Sequence, residues 1–593
     1  MSSFVTAMDN HSNRTTIPSK PGTMVRKTLG FDTKSKVLEL WTMLKRGTEK
    51  AEIEERIINI CNTSKQNADS AERRELLSLL VRAIVQKRDC RKGGGEKTVV
   101  YHSLLALYSE LPKTVAALLA ILPKFGYWKD LCFIAEECKT EDKKDLLSLI
   151  AKTMADGIRS KDVLCCKWAP REKKSGAWLA ALVRKELKFS KKCYRQYLSK
   201  VMNENAVSIP EVLMSKKRFR DIEPAKVPSR CLKVHRLAFI DEDKKGARRH
   251  VYDEDPQLAD REICRKKFEE HLNEGKSVKG ARNFPHEIVK EVVHSGHITD
   301  LQRKTLNALW QAIVDDVKKQ IMEQKEKAGL KVDGEKKEEV SSEETSFDPS
   351  KMVPMCDVSG SMTCANGIPM NNSVALGLLL SEIGHPAFRN RVLTFHSQPS
   401  WVVFDEGMDF VDRVRKLKAA PWGSSTNFEA AMGLIANVVR KNRLLEEEVP
   451  GIVCFSDMKF NSATGNGYGS TGNVFDTHYE RIQALFANVG NEITGAPYKA
   501  PRLCFWDLAH NSGSSGGQPG FPVTANDQGV QLISGFSPAL LKLVMTGERL
   551  DTPWETFMKA VGDDRYDEVE MVALQAMEID SEYSSSNTEQ KFE

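Results

Sequence analysis

The sequence holds no uninterrupted apolar run of about 18 residues, which argues against a membrane-spanning helix and against a membrane partner. Its first 25 residues are polar, with Asn, Ser, Thr and Pro and no apolar segment of the kind a secretory signal needs, so a flexible arm is expected there. Paired C-x-x-C spacing is also missing. The 13 cysteines are scattered, and Cys132, Cys356, Cys454 and Cys504 lie inside apolar segments. Reduced thiols in a cytoplasmic protein are the expectation, with the nucleus as the alternative. Neither the adjacent Cys165 and Cys166 nor the wider pair Cys132 and Cys138 has zinc spacing, and no histidine cluster accompanies them, so zinc is not expected. A nucleophile elbow, a Cys/His signature and a G-x-x-x-x-G-K-[ST] loop are all lacking, and neither His385 nor His396 sits in a catalytic motif. No enzyme is expected.

What is present suits a folded protein with more than one core: 593 residues, 41% hydrophobic and 28% charged. The most informative stretch is Lys351 to Met362, KMVPMCDVSGSM. The apolar run Met352 to Cys356 reads as a buried strand that stops at Asp357, after which hydroxyls stand at alternate positions. Asp357, Ser359 and Ser361 on one tight turn can aim a carboxylate and two hydroxyls at one point, which is what a hard divalent cation wants. Two later residues fit the same reading. Thr426 stands between the Gly/Ser loop PWGSS and a helical pattern, and Asp457 ends the second buried run, GIVCFSD. In an open α/β sheet, residues just beyond the carboxyl ends of strands converge on one crevice. The bland alternative is a polar cluster that only satisfies strand ends.

These five residues resemble, complete in type and order, the metal-ion-dependent adhesion site of von Willebrand factor A domains, and the resemblance covers roughly Ser350 to Val561. It implies a Rossmann-like α/β domain in which Ser359 and Ser361, with Thr426 as a further ligand, hold the ion directly while Asp357 and Asp457 act through water. Mg²⁺ suits such a shell, with Mn²⁺ or Ca²⁺ as alternatives. An open coordination position would take a carboxylate from a partner protein or a phosphate oxygen.

From about Arg26 to Gln324 the pattern is helical. KSKVLELWTML, AERRELLSLLVRAIVQ, HSLLALYSEL and TVAALLAILPKF carry apolar residues three and four apart with short polar links, which predicts an all-α, irregular helical-repeat array. Between two of these segments, RDCRKGGGEK is a linker between helices or a mobile loop whose amides meet phosphate. Charge is uneven. Lys161 to Val251 holds 24 Lys and Arg against 10 Asp and Glu, a local net of +14 within a chain whose total is +6. Pro170 is expected to break or start a helix, with Arg171, Lys173 and Lys174 on its first turn. Lys191, Lys192 and Arg195 follow among Phe189, Tyr194 and Tyr197, and Lys217, Arg218 and Arg220 come next. Lys174 aside, these eight cations are the candidate RNA-binding residues, read as one stripe that tracks phosphates; an acidic protein partner is the rival.

The order RD-x-R-x-G-x-GEK, FGYWKDL, KWAPREK and VPS, followed by the metal-site region, resembles an uncharacterised protein family of plants and other eukaryotes related to the TROVE-module proteins typified by the Ro autoantigen. That resemblance implies HEAT-like helical repeats, ring-shaped in Ro, joined to a von Willebrand A domain in a protein that binds structured or misfolded RNA. The expected organisation is therefore an arm at 1–25, a TROVE-like helical domain at 26–328, a charged linker at 329–350, the A domain at 351–562 and a C-terminal segment at 563–593, disordered after Ser581. The expected function is a non-enzymatic RNA-binding scaffold with a divalent-metal site; the alternative is a metal-dependent protein-adhesion module without RNA.

Overall fold

The computed structural model describes residues 16–17, 26–27, 33–67, 69–141, 143–172, 175–205, 209–250, 256–327, 351–384, 388–395, 399–420, 428–457, 474–508, 530–541 and 552–589. The arm at 1–25 and the linker at 329–350 lie almost wholly outside them. The chain forms two compact units, and neither is continuous in sequence. One comprises residues 1–47 and 280–560, the other 48–279 and 561–593. This differs from the expected boundaries, because residues 33–47 and 280–327 join the α/β unit instead of the helical array.

The α/β unit is built on six strands: β1 (Met352–Asp357), β2 (Arg391–Phe395), β3 (Ser400–Val403), β4 (Gly451–Ser456), β5 (Leu503–Asp507) and β6 (Val530–Ser534). Their spatial order is β3-β2-β1-β4-β5-β6, parallel throughout except for β3, which runs antiparallel to β2 at the edge. Every residue of β1, β4 and β5 is buried, as continuous apolar runs require when helices cover both faces of a parallel sheet. The helix Cys364–Ile383 lies directly on β1, and Gly377 permits the approach, since a Cβ there would overlap Cys356 Sγ. Its first turn is broken by left-handed residues at Ala365, Asn366 and Gly367.

Helices from the expected array complete this unit. Trp310, in the helix Asp300–Lys327, stacks on Phe410 at 4.3 Å and donates its ring N–H to Glu382 at 2.9 Å. Arg303 from the same helix forks onto Asp412 at 2.7 and 2.8 Å and also reaches Asp409. Trp41, in the helix Thr33–Met43, meets Phe557 edge-on at 5.5 Å. An apolar stripe next to a sheet with an uncovered face is buried wherever it fits, and helical periodicity does not say against what.

In the other unit, successive helices pack on near neighbours, as Lys144–Arg159 does with both Trp128–Thr140 and Ala177–Leu187. The helix Asp567–Glu589 packs against Ser70–Arg88 and Pro112–Phe125 and continues past Ser581, where the sequence suggests disorder. At the centre lies an ionic knot. Arg88, fully buried, donates to Asp130 at 2.8 Å, and the same carboxylate accepts from the Tyr101 hydroxyl at 2.7 Å and the Tyr127 amide at 2.8 Å. A Cβ on Gly126 would overlap that carboxylate. Next to it, Asp89 accepts from Arg565 at 2.6 Å and from the Tyr566 hydroxyl at 3.2 Å. The motifs RDCRKGGGEK and FGYWKDL thus meet in one folded structure. All 13 cysteines are free thiols, and no helix among the described residues is long and apolar enough to cross a membrane.

Candidate metal centre and basic surfaces

The sheet order reverses between β1 and β4, since the chain leaves β1 toward β2 and later returns to β4 on the other side. A crevice opens beyond the carboxyl ends of strands at such a switch. Asp357 ends β1, and Asp457 follows the last residue of β4. Their exposures are 0% and 2%, and Ser359 is 3% exposed.

Local bonds fix the turn. Asp357 Oδ1 accepts from the Ser359 amide at 2.9 Å, and Oδ2 accepts from the Ser456 hydroxyl at 2.5 Å. The Ser359 and Ser361 hydroxyls lie 3.0 Å apart, so two neutral oxygens stand together beside the carboxylate. Burial, and after it the negative charge of Asp457, pushes the Asp357 carboxyl up to about 7. Asp507, the acid at the end of β5, is instead neutralised by an ion pair with Lys45. The donor set at β1 and β4 is all oxygen and holds two acids whose mutual repulsion a divalent ion would relieve, so Mg²⁺, Mn²⁺ or Ca²⁺ fits its chemistry. Thr426 lies outside the described residues, and four of the five expected ligands are therefore placed.

The eight basic candidates divide. Lys191, Lys192 and Arg195 are exposed on the helix Lys191–Asn205, with no carboxylate paired to them among the described residues. Lys217 is exposed too, on a left-handed backbone with φ 56°. The three arginines beside them are occupied. Arg171 donates to the Cys166 carbonyl at 2.9 Å, Arg218 pairs with Asp221 at 2.5 Å, and Arg220 pairs with Asp260 at 2.6 Å. Arg218 and Arg220 line a 470 Å³ cavity whose other charges include Glu204, Glu223 and Lys267, so its lining is of mixed sign. Lys173 lies outside the described residues. Pro170 breaks a helix and does not start one: the helix Val163–Trp168 ends just before it and the next begins at Ala177. A contiguous stripe of eight free cations is therefore not what the fold presents.

The glycine loop is also engaged. The amides of Gly93 and Gly95 donate to the Asp89 carbonyl and that of Gly94 to the Gln86 carbonyl, at 3.1–3.2 Å. They close the end of the helix Ser70–Arg88, so the expectation of a mobile, phosphate-facing loop is not met.

A surface that the sequence did not suggest lies at the start of the helix Trp128–Thr140. Lys129 Nζ stands 5.2 Å from the Phe133 ring and 5.3 Å from the Trp168 ring, while Lys167 reaches Trp168 from 5.4 Å. Phe133 and Trp168 are 43% and 38% exposed. FGYWKDL and KWAPREKK are far apart in sequence, and nothing in either one shows that Lys129 and Trp168 meet.

A family model described as a domain of unknown function, DUF7788, matches residues 350–581. The chain is also 26% identical over 505 residues to the uncharacterized protein L728 of Acanthamoeba polyphaga mimivirus, covering 80% of this chain and 77% of that one. That span is longer than either compact unit. No solved structure matches.

Proposed function

We propose that the chain is a non-enzymatic binding scaffold whose α/β unit, of von Willebrand factor A type, holds a divalent cation and through it a carboxylate or phosphate oxygen of a partner. The observation that carries this reading is the burial of Asp357 and Asp457 at the switch point, with the Ser359 and Ser361 hydroxyls 3.0 Å apart beside Asp357. Two buried acids this close are costly unless a cation joins them. Titrating Mn²⁺ or Mg²⁺ into the full chain by calorimetry should give one site that Asp357→Asn abolishes; equal heats from both proteins would remove the idea.

A second reading, RNA binding by the helical unit as the Ro-like resemblance implies, is supported by the free cations Lys191, Lys192 and Arg195 and by the exposed rings of Phe133 and Trp168 among lysines. Bases of any identity stack on such rings while lysines follow the phosphates. Pull-down from lysate separates the two. Partners that survive nuclease and vanish with chelator belong to the metal site, whereas those lost to nuclease belong to RNA.

A further inference from the structure

A second cluster of metal-ligating side chains lies in the helical unit. Glu211 comes from the short helix Pro210–Ser215, and Cys231 and His235 lie four residues apart on the helix Ser229–Phe239. That spacing places the thiol and the imidazole on one helix face. One ligand atom from each of the three residues lies within 4.8 Å of the others.

Around a zinc-sized ion with bonds of about 2.0–2.3 Å, tetrahedral ligand atoms stand roughly 3.3–3.8 Å apart. Closing the present triangle from separations within 4.8 Å takes about 1.5 Å at most, within reach of side-chain rotation. Glu211 is already aimed. Its Oε1 accepts from Lys167 Nζ at 2.8 Å, Oε2 is shut off from solvent, and the Cys231 thiol hydrogen-bonds to the same carboxylate. Burial alone would raise the Glu211 pKa, but the hydrogen bond and charge of Lys167, a backbone hydrogen bond and the Cys231 thiol together outweigh it and hold the carboxyl below its ordinary range. Cys231 is 6% exposed, so water does not compete freely at the sulfur.

We infer that Glu211, Cys231 and His235 form a site for a borderline transition metal of the Zn²⁺ class. Thiolate and imidazole donors exclude Mg²⁺ and Ca²⁺, which favour oxygen alone, and three protein ligands leave a fourth position for water or an incoming donor. Binding forms the metal–sulfur bond and releases the Cys231 proton to solvent. Lys167 acts from outside, orienting Glu211 as a hydrogen-bonded partner orients a ligating carboxylate. The sequence signal is C-x-x-x-H, a one-turn spacing on a helix, which a search for paired C-x-x-C passes over.

Co²⁺ is the probe. Full-length protein stripped with chelator should take up one equivalent, giving visible tetrahedral bands and a near-ultraviolet thiolate-to-cobalt band that Zn²⁺ displaces and Mg²⁺ does not. Cys231→Ser should remove the near-ultraviolet band, His235→Gln should weaken binding, and Lys167→Met should lower affinity about ten- to a hundredfold. Cys193→Ser, at the exposed cysteine, should change nothing. Asp357→Asn should also leave the cobalt spectrum intact, which separates this site from the one at the sheet. Absence of the sulfur band in wild type, or its persistence in folded Cys231→Ser, overturns the inference; should that variant fail to fold, unchanged cobalt affinity in folded Glu211→Gln and His235→Gln overturns it equally.

Discussion

Replacing Asp357 by Asn should make the metal-free protein more stable at pH 8, the reverse of the usual result for a buried polar residue. The Asp357 carboxyl is raised from 3.8 to about 7 by burial and by Asp457. At about 1.4 kcal/mol for each pH unit, the ionised form costs the folded unit about 4 kcal/mol at pH 8. Asn carries no charge. It keeps one oxygen for the Ser359 amide, and its amide group can donate to Ser456 Oγ in place of accepting from it, at a cost of about 1 kcal/mol. The net gain is about 2–3 kcal/mol, or about 5 °C in the melting temperature of a unit this size. The sign with pH follows from proton binding. Between about pH 4 and pH 7 the folded protein holds a proton on Asp357 that the unfolded chain has lost, so wild-type stability falls as pH rises through that window, and the Asn variant should be flatter there. Added Mg²⁺ should restore stability to the wild type above pH 7 and do nothing for the variant. Thermal melts of both full-length proteins at pH 5 and pH 8, with chelator and with Mg²⁺, give the eight melting temperatures needed. A variant less stable than wild type at pH 8 in chelator, or stabilised equally by Mg²⁺, would refute the reasoning.

Three further outcomes are expected. Changing Lys191, Lys192 and Arg195 together to Glu should weaken binding to all RNAs alike and reduce the slope of log affinity against log salt by about 2–3, as read by fluorescence anisotropy across a salt series. Asp130→Ala should destabilise the helical unit by about 3–5 kcal/mol in urea melts, because Arg88 keeps its charge with no exposure to water. Trp310→Ala should cost the α/β unit about 3–5 kcal/mol through the cavity left against Phe410, seen as faster proteolysis within residues 280–560.

The α/β unit was legible because its strands announce themselves: Met352–Cys356 and Gly451–Ser456 are short apolar runs that end at acids, and parallel strands buried on both faces have that character. What burial is against could not be read. Trp310 and Trp41 sit in helical patterns indistinguishable from those of the array, and only three-dimensional complementarity sends them to the sheet. The basic region misled for a related reason. Charge counts include Arg218 and Arg220 in full, yet Asp221 lies three residues from one, while Asp260, forty residues from the other, comes near only in the fold. The same holds for RDCRKGGGEK, whose glycines suggested mobility while their amides close a helix end. Glu211 and Cys231 likewise meet only after folding.

The division of the chain into interleaved pieces has a consequence for how it is made and cut. Residues 33–47 have left the ribosome long before the sheet they join is synthesised, and the helical unit lacks its Asp89 partners until Arg565 and Tyr566 emerge. Neither half can be finished first. A stop codon after Ala560 would leave the sheet with Asp357 and Asp457 in place and still take away the helix that closes the helical unit. No single cut in the middle yields two whole pieces, so a deletion map that treats the front as one module and the back as another would assign each loss of function to the wrong side.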